Sequence, residues 1–270
     1  MPQWVSDFAD HAMHAFSLEF SRYFIAAGLL TLLLWLGTRW TDPRRIQARR
    51  AGFADRRREF RNSLVTLGVF TLNGLFVFAM LRAGVFHISP QLPPLWLGLL
   101  EFAAVVVAHD AYFYWMHRSL HHRLMFRRAH LTHHESRTPT PWAAYSFAPI
   151  EAFFEAIFIP LWLALVPMHE VAVLAFILHQ IIRNVIGHMG HELAPPGFSR
   201  SRWTGWLTTT THHDLHHSQG RYNFGLYFTW WDRWMGTEHP EYLARYAKAA
   251  WRPFAARPSA EPAFPLDRSI

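Results

Sequence analysis

The sequence predicts an all-α integral membrane protein, with four to five spanning or hairpin helices and a cytoplasmic cap of histidine-rich helices. Three observations predict it: apolar runs of bilayer length, an uneven sharing of arginine between the connections, and histidines repeated at helical spacing. The chain has 270 residues, 51% hydrophobic and 16% aromatic. Its mean hydropathy is nevertheless only +0.01, because arginines and histidines offset the apolar runs and leave them as separate blocks.

Taken in order, the first block is Tyr23 to Gly37, uncharged and flanked by Arg22 and Arg39, whose long side chains can snorkel and extend it to spanning length. Leu64 to Leu81 is a second block, interrupted only by polar residues such as Asn73. Leu95 to Ala108 is a third and carries Glu101 inside it. Ile150 to Val166 followed by Glu170 to Gly187 reads as a hairpin closed at Pro167-Met168. Any one of these fits a buried helix of a soluble protein; four or five in one chain point to a bilayer.

Arginine sets the orientation. Residues 38–61 hold nine arginines (Arg39, Arg44, Arg45, Arg49, Arg50, Arg56, Arg57, Arg58 and Arg61) against three acids, whereas Val85 to Pro94 has no Lys or Arg. The basic connection is therefore expected in the cytoplasm. Running the topology forward brings the chain back to that side before His117 and again before His188, so the clustered histidines meet at one interface. The formal net charge of +7 suits a surface facing anionic headgroups, and an arginine-rich loop tethered between two spans argues against nucleic acid as its partner. No cleavable signal is evident. The absence of cysteine excludes thiolate metal sites and disulfides. The tail from Pro253 to Ile270 has four prolines and is expected to be irregular.

The histidines form an ordered series. His117 and His121 are four apart; His130, His133 and His134 follow at three and one; His188 and His191 at three; His213, His216 and His217 at three and one. Such spacings place imidazoles on one helical face, near enough to share a metal or hold neighbouring metals. Ten positions match two ions of four or five ligands each. Imidazole suits zinc, copper, iron and nickel, and binding favours the neutral ring. Metal ions thus relieve the crowding of His212-His213-Asp214-Leu215-His216-His217, which would otherwise repel once protonated. His11, His14, His87, His169, His179 and His239 read as structural.

One acid joins the site candidates. Asp110, Tyr114, His117 and His121 share one helical stripe, so Asp110 is expected to accept a ring N–H from a ligand or from a neighbouring helix and fix its tautomer. Beyond it Val106, Ala103 and Leu99 lead into the bilayer, a face that fits either the approach of a lipid tail or plain helix packing. Asp232, beside Arg233, either orients a ligand ring or holds the arginine.

The runs HDAYFYWMHRSLHH, HLTHHESRTPTP and HHDLHHSQGRYNFGLYFTWWDRWMGT resemble the fatty acid hydroxylase and sterol desaturase superfamily, in particular its sterol C5-desaturase-like members. The resemblance covers roughly residues 95–240. It implies a catalytic domain there, preceded by a membrane region (1–94) and followed by a proline-rich tail (241–270). It further implies an integral membrane, non-haem di-iron centre that uses O2. Residue by residue it assigns ligation to His117, His121, His130, His133, His134, His188, His213, His216 and His217. His191 is less well marked, since relatives differ there, and His109, His122 and His212 fall to supporting or structural roles. Ala148 stands where many relatives have histidine before Pro-Ile and an acid, a departure that weighs against a sterol substrate more than against the metals.

The sequence carries no hydrolase triad, H-E-x-x-H, glycine fingerprint or phosphate loop. An all-histidine iron pair suits the oxidation of an unactivated C–H bond of a lipid to an alcohol or an alkene, with a carotenoid or alkylglycerol as alternative substrates. Two electrons must come from outside, which implies a b-type cytochrome or a ferredoxin with its reductase, drawn by the basic face. A metal transporter or store is the non-enzymatic alternative. It would scatter histidines through loops or along the spans, whereas these sit in fixed boxes.

Overall fold

The computed structural model describes residues 3–252; the expected irregular segment Pro253 to Ile270 lies outside them. Two long helices open the chain, α1 (Gln3–Leu36) and α2 (Phe53–Arg82), packed on each other through Tyr23, Ala27, Leu67 and Phe70. A third, α3 (Leu95–Leu120), starts after Pro93-Pro94 and runs past Ala108 through the first histidines, so the span and the first box are one rod. The expected continuous helix from Ile150 to Val166 is instead two short ones, α4 (Pro149–Ala156) and α5 (Phe158–Leu165). Pro160 explains the break: it lacks an N–H, and its ring clashes with the carbonyl four residues back, at Ala156. The last long helix is α6 (Glu170–Gly187).

Residues Asp10–Leu36, α2, α3 and α6 are each long and apolar enough to cross a membrane. Leu33, Leu72, Leu99 and Leu174 expose half or more of their surface, an arrangement that is stable only against lipid. At one end, β1 (Ile88–Ser89) pairs in parallel with β2 (Met168–His169), and Glu101 accepts bonds from the His169 backbone N–H (3.0 Å) and ring Nδ1 (2.7 Å). This latch starts α3 and α6 side by side and in the same direction. Their far ends, His117 and His188, consequently arrive together.

The arginine-rich connection lies at that same far end. Arg45 bridges His191 in the backbone, Gln47 Nε2 donates to Asp214 Oδ1 at 2.7 Å, and Arg58 Nη2 donates to the Glu135 carbonyl at 3.0 Å. Three cap helices follow in the last part of the chain: α7 (Thr210–Gln219), α8 (Trp230–Trp234) and α9 (Tyr242–Ala250). The cap extends past the expected boundary at residue 240, because Tyr242, Tyr246 and Ala250 of α9 bury against Leu215 of α7.

The chain has no cysteine, so single cysteines report sidedness directly. In sealed vesicles Ala48→Cys and Arg123→Cys should be alkylated by a membrane-impermeant maleimide from one face, and Gln91→Cys only from the other. Labelling of Ala48→Cys and Gln91→Cys from a common face would overturn the topology.

Candidate metal centre

Five elements converge at the far ends of α3 and α6. α3 supplies His117 and, at its end, His121. A π-helical turn, Phe126–His130, and the single turn Leu131–His134 supply three more. Wide turns of this kind recur at functional sites because they re-aim side chains. His188 caps α6. Helix α7 is buried from Thr210 to His217 although its residues are mostly polar; Thr209 starts it by accepting the His212 N–H at 3.3 Å.

Nine rings form two groups, one of His117, His121, His130, His134 and His216, the other of His133, His188, His213 and His217. Within each group the ligand-capable nitrogens lie within 4.8 Å of one another. The paired residues His133-His134 and His216-His217 each send one ring to each group. Neighbours on a helix point about 100° apart, so every such pair spans two sites and holds them adjacent: the rings of His134 and His217 are centred 5.2 Å apart.

Backbone carbonyls decide which nitrogen faces inward. His117 Nδ1 donates to Phe224 O (2.9 Å), His216 Nδ1 to Tyr222 O (2.7 Å) and His188 Nδ1 to Asn184 O (2.8 Å). A carbonyl only accepts, so each of these rings carries its proton on Nδ1 and presents a bare Nε2 lone pair. Those Nε2 atoms meet other Nε2 atoms: His117 faces His130 at 3.0 Å, and His188 faces His213 at 2.9 Å and His133 at 3.3 Å. In the first group His121, His134 and His216 form a triangle with 3.1 Å edges. Since His216 brings only a lone pair, hydrogen bonds cannot satisfy all three edges, whereas a cation accepting from the three nitrogens can. The donor set fits zinc, copper, iron or nickel and does not fit the oxygen-seeking calcium or magnesium.

The rings are also held neutral. Burial is the main cause, and in most of them charge repulsion from neighbouring imidazoles adds to it: His121, His130, His133, His213, His216 and His217 are driven well below the usual histidine value of 6.5. His134 falls to about 3 and His188 to about 4.

His191, expected among the ligands, stands outside both groups. Helix α6 ends at Gly187, so the spacing of three from His188 does not share a helical face, and the ring donates from Nδ1 to Met189 O at 2.8 Å. The expectation for Asp110 is also corrected: it touches no ligand ring. Its Oδ1 accepts the backbone N–H groups of Tyr227 (2.8 Å) and Phe228 (3.2 Å), because residues 226–228 pass along that side of α3. His109 bonds the Tyr227 hydroxyl (2.9 Å), His212 faces Asp232 (3.4 Å), and His122 is exposed.

Two supports were not legible as such. Glu151 Oε1 lies 2.8 Å from His130 Nδ1, both side chains almost fully buried, at contact distance though off the axis of a well-formed hydrogen bond. Its only sequence signal is its place in SFAPIE, 21 residues beyond His130. Asp232 acts through the backbone: it accepts the N–H groups of Phe224 and Gly225, both at 2.8 Å, and the Thr237 hydroxyl. Arg233 is held elsewhere, by Glu238 and the Gly205 carbonyl. Asn223, at φ 59°, takes the left-handed conformation that asparagine tolerates, and the flanking carbonyls of Tyr222 and Phe224 reach His216 and His117. A Cβ on Gly225 would lie 2.5 Å from Phe228 O, so only glycine fits there.

The family described as fatty acid hydroxylase matches residues 102–237. Lathosterol oxidase of Homo sapiens is 29% identical over 181 residues, 66% of this chain and 59% of that protein. A Delta(7)-sterol 5(6)-desaturase of Gibberella zeae is 30% identical over 54% of this chain and 39% of its own. A methylsterol monooxygenase of Aspergillus fumigatus is 30% identical over 58% and 54%. The chain spans about half the length of these curated relatives. No solved structure matches.

Three outcomes are expected of the purified protein. Metal analysis of His117→Ala and His216→Ala should show loss of bound metal, while His191→Ala retains it. Glu151→Gln should weaken metal affinity by about 10- to 100-fold, the usual effect of removing a ligand's carboxylate neighbour; unchanged affinity would make the contact purely structural. Metal-free protein should also be acid-labile. The unfolded chain takes up protons below about 6.5 that the buried rings refuse until pH falls to about 4 or 3, so stability is full above that window and declines through it. Thermal unfolding of chelated protein against pH measures this, and a flat profile would contradict neutral buried rings.

Proposed function

From the premise that the chain belongs to the fatty acid hydroxylase family, we propose that it is a membrane-bound oxidoreductase. In this reading the two histidine groups hold a non-haem di-iron centre that uses O2 and two external electrons to hydroxylate or desaturate a lipid C–H bond, of sterol or fatty acyl type. The single observation that supports it most is the pair of adjacent, buried, all-imidazole groups, with three rings presenting Nε2 lone pairs inward. When bound, the iron pair supplies the oxidising power for the C–H bond.

The chain's own residues do the rest. Phe224, Tyr222 and Asn184 fix the ring orientations through their carbonyls, and Asp232 fixes Phe224 in turn. Burial of α7 from Thr210 to His217 and of the His130, His133 and His134 side chains keeps bulk water from the site, which protects an oxidising centre from side reactions. Leu99 on α3 faces lipid, while Val106, on the same stripe, is buried in the core. That stripe supports approach of an apolar tail from the bilayer.

The basic connection at the histidine end supports a cytoplasmic placement and an acidic electron donor, a b-type cytochrome or a ferredoxin with its reductase. The test is turnover of iron-loaded protein in lipid nanodiscs with such a donor, read as coupled oxygen and electron consumption. Mass spectrometry should show a lipid product that has gained one oxygen or lost two hydrogens. Metal uptake into vesicles without any lipid product would replace this reading with a transporter.

A further inference from the structure

Six tryptophans form a continuous strip across the cap and the end of α3. Trp115 of α3 meets Trp231 at 5.9 Å between ring centres, Trp231 meets Trp234 at 5.4 Å, Trp234 meets Trp230 at 6.2 Å, and Trp230 meets Trp206 at 5.7 Å. Trp206 Nε1 donates to the Trp203 carbonyl at 2.7 Å, joining the last member. The strip is far from buried: Trp203 is 73% exposed, Trp234 65% and Trp115 46%. It is edged with cations, Arg202 lying 4.8 Å over the Trp203 ring and Arg118 5.8 Å from that of Trp115. The acids beside it are engaged, Asp232 buried and Glu238 paired with Arg233.

The height of the strip is set by α3. Trp96, also exposed at 67%, lies 19 residues before Trp115, or about 28 Å along the helix at 1.5 Å per residue. That is close to the ~30 Å hydrocarbon thickness, so Trp96 and Trp115 mark its two boundaries. Indole rings prefer this boundary because an apolar ring and a polar N–H are both accommodated there, and neighbouring arginines reach the phosphates.

We propose that the face formed by segments 202–206 and 230–235 is seated in the headgroup layer of the bilayer, as a continuation of the lipid-facing side of α3. The occupant of this surface is phospholipid. The cap is partly immersed in the interface, and the histidine groups stand immediately above the acyl boundary.

Single cysteines carrying a nitroxide label test this in the iron-loaded full chain in phosphatidylcholine nanodiscs, with no need for turnover. Trp234→Cys and Met235→Cys sample the face; the second keeps every tryptophan, and unchanged metal content confirms folding. Leu99→Cys gives the lipid reference and Ala244→Cys, exposed on α9, the water reference. At 234 and 235 the accessibility to oxygen should exceed that to a water-soluble nickel chelate, as at 99 and in reverse of 244. Ratios like that at 244 would overturn the proposal. So would labels shielded from both reagents, which would show a second copy or another protein covering the face.

Discussion

The structure depends on keeping nine imidazoles neutral and aimed inward in a space that excludes water. A protonated imidazole there would face several others within about 3 Å, and a mis-tautomerised one would aim an N–H where a lone pair is needed. Burial solves the first problem by disfavouring charge, and at His117, His188 and His216 backbone carbonyls solve the second by fixing the proton on Nδ1. Much of the cap exists to hold those carbonyls. Asp232 clamps Phe224, Asn223 turns the chain between Tyr222 and Phe224, and Asp110 fixes the following strand of loop.

The membrane helices serve the same constraint at longer range. The short parallel pairing of residues 88–89 with 168–169, and Glu101 beneath it, start α3 and α6 together. Two rigid rods launched in parallel deliver His117, His121 and His188 to a common level without help from the loops. The remaining six ligand candidates come from two short turns and one polar helix, and that helix is covered from Thr210 to His217.

Relatives named for sterol oxidation match this chain over about half of their own length. The family region, residues 102–237, contains both histidine groups and the loops orienting them. In the proposed function, substrate choice would fall to surfaces that face lipid, where many apolar side chains serve equally well.

The sequence by itself determined the elements that follow local rules. Apolar runs bounded by arginine or proline marked α1, α2, α3 and α6, and spacings of three and four marked nine of the rings that the fold gathers, because both patterns come from helical periodicity within one segment. It could not determine where a helix stops or which backbone meets which side chain. His191 has the right spacing but lies past the end of α6, and Asp110 has the right register but faces a loop 117 residues away in the chain. Pro160 breaks a run whose hydropathy alone reads as one helix. Glu151 reaches His130 only because α4 packs beside the π-helical turn. Tertiary structure decided these, since each rests on a contact between segments whose distance in sequence carries no information about their distance in space.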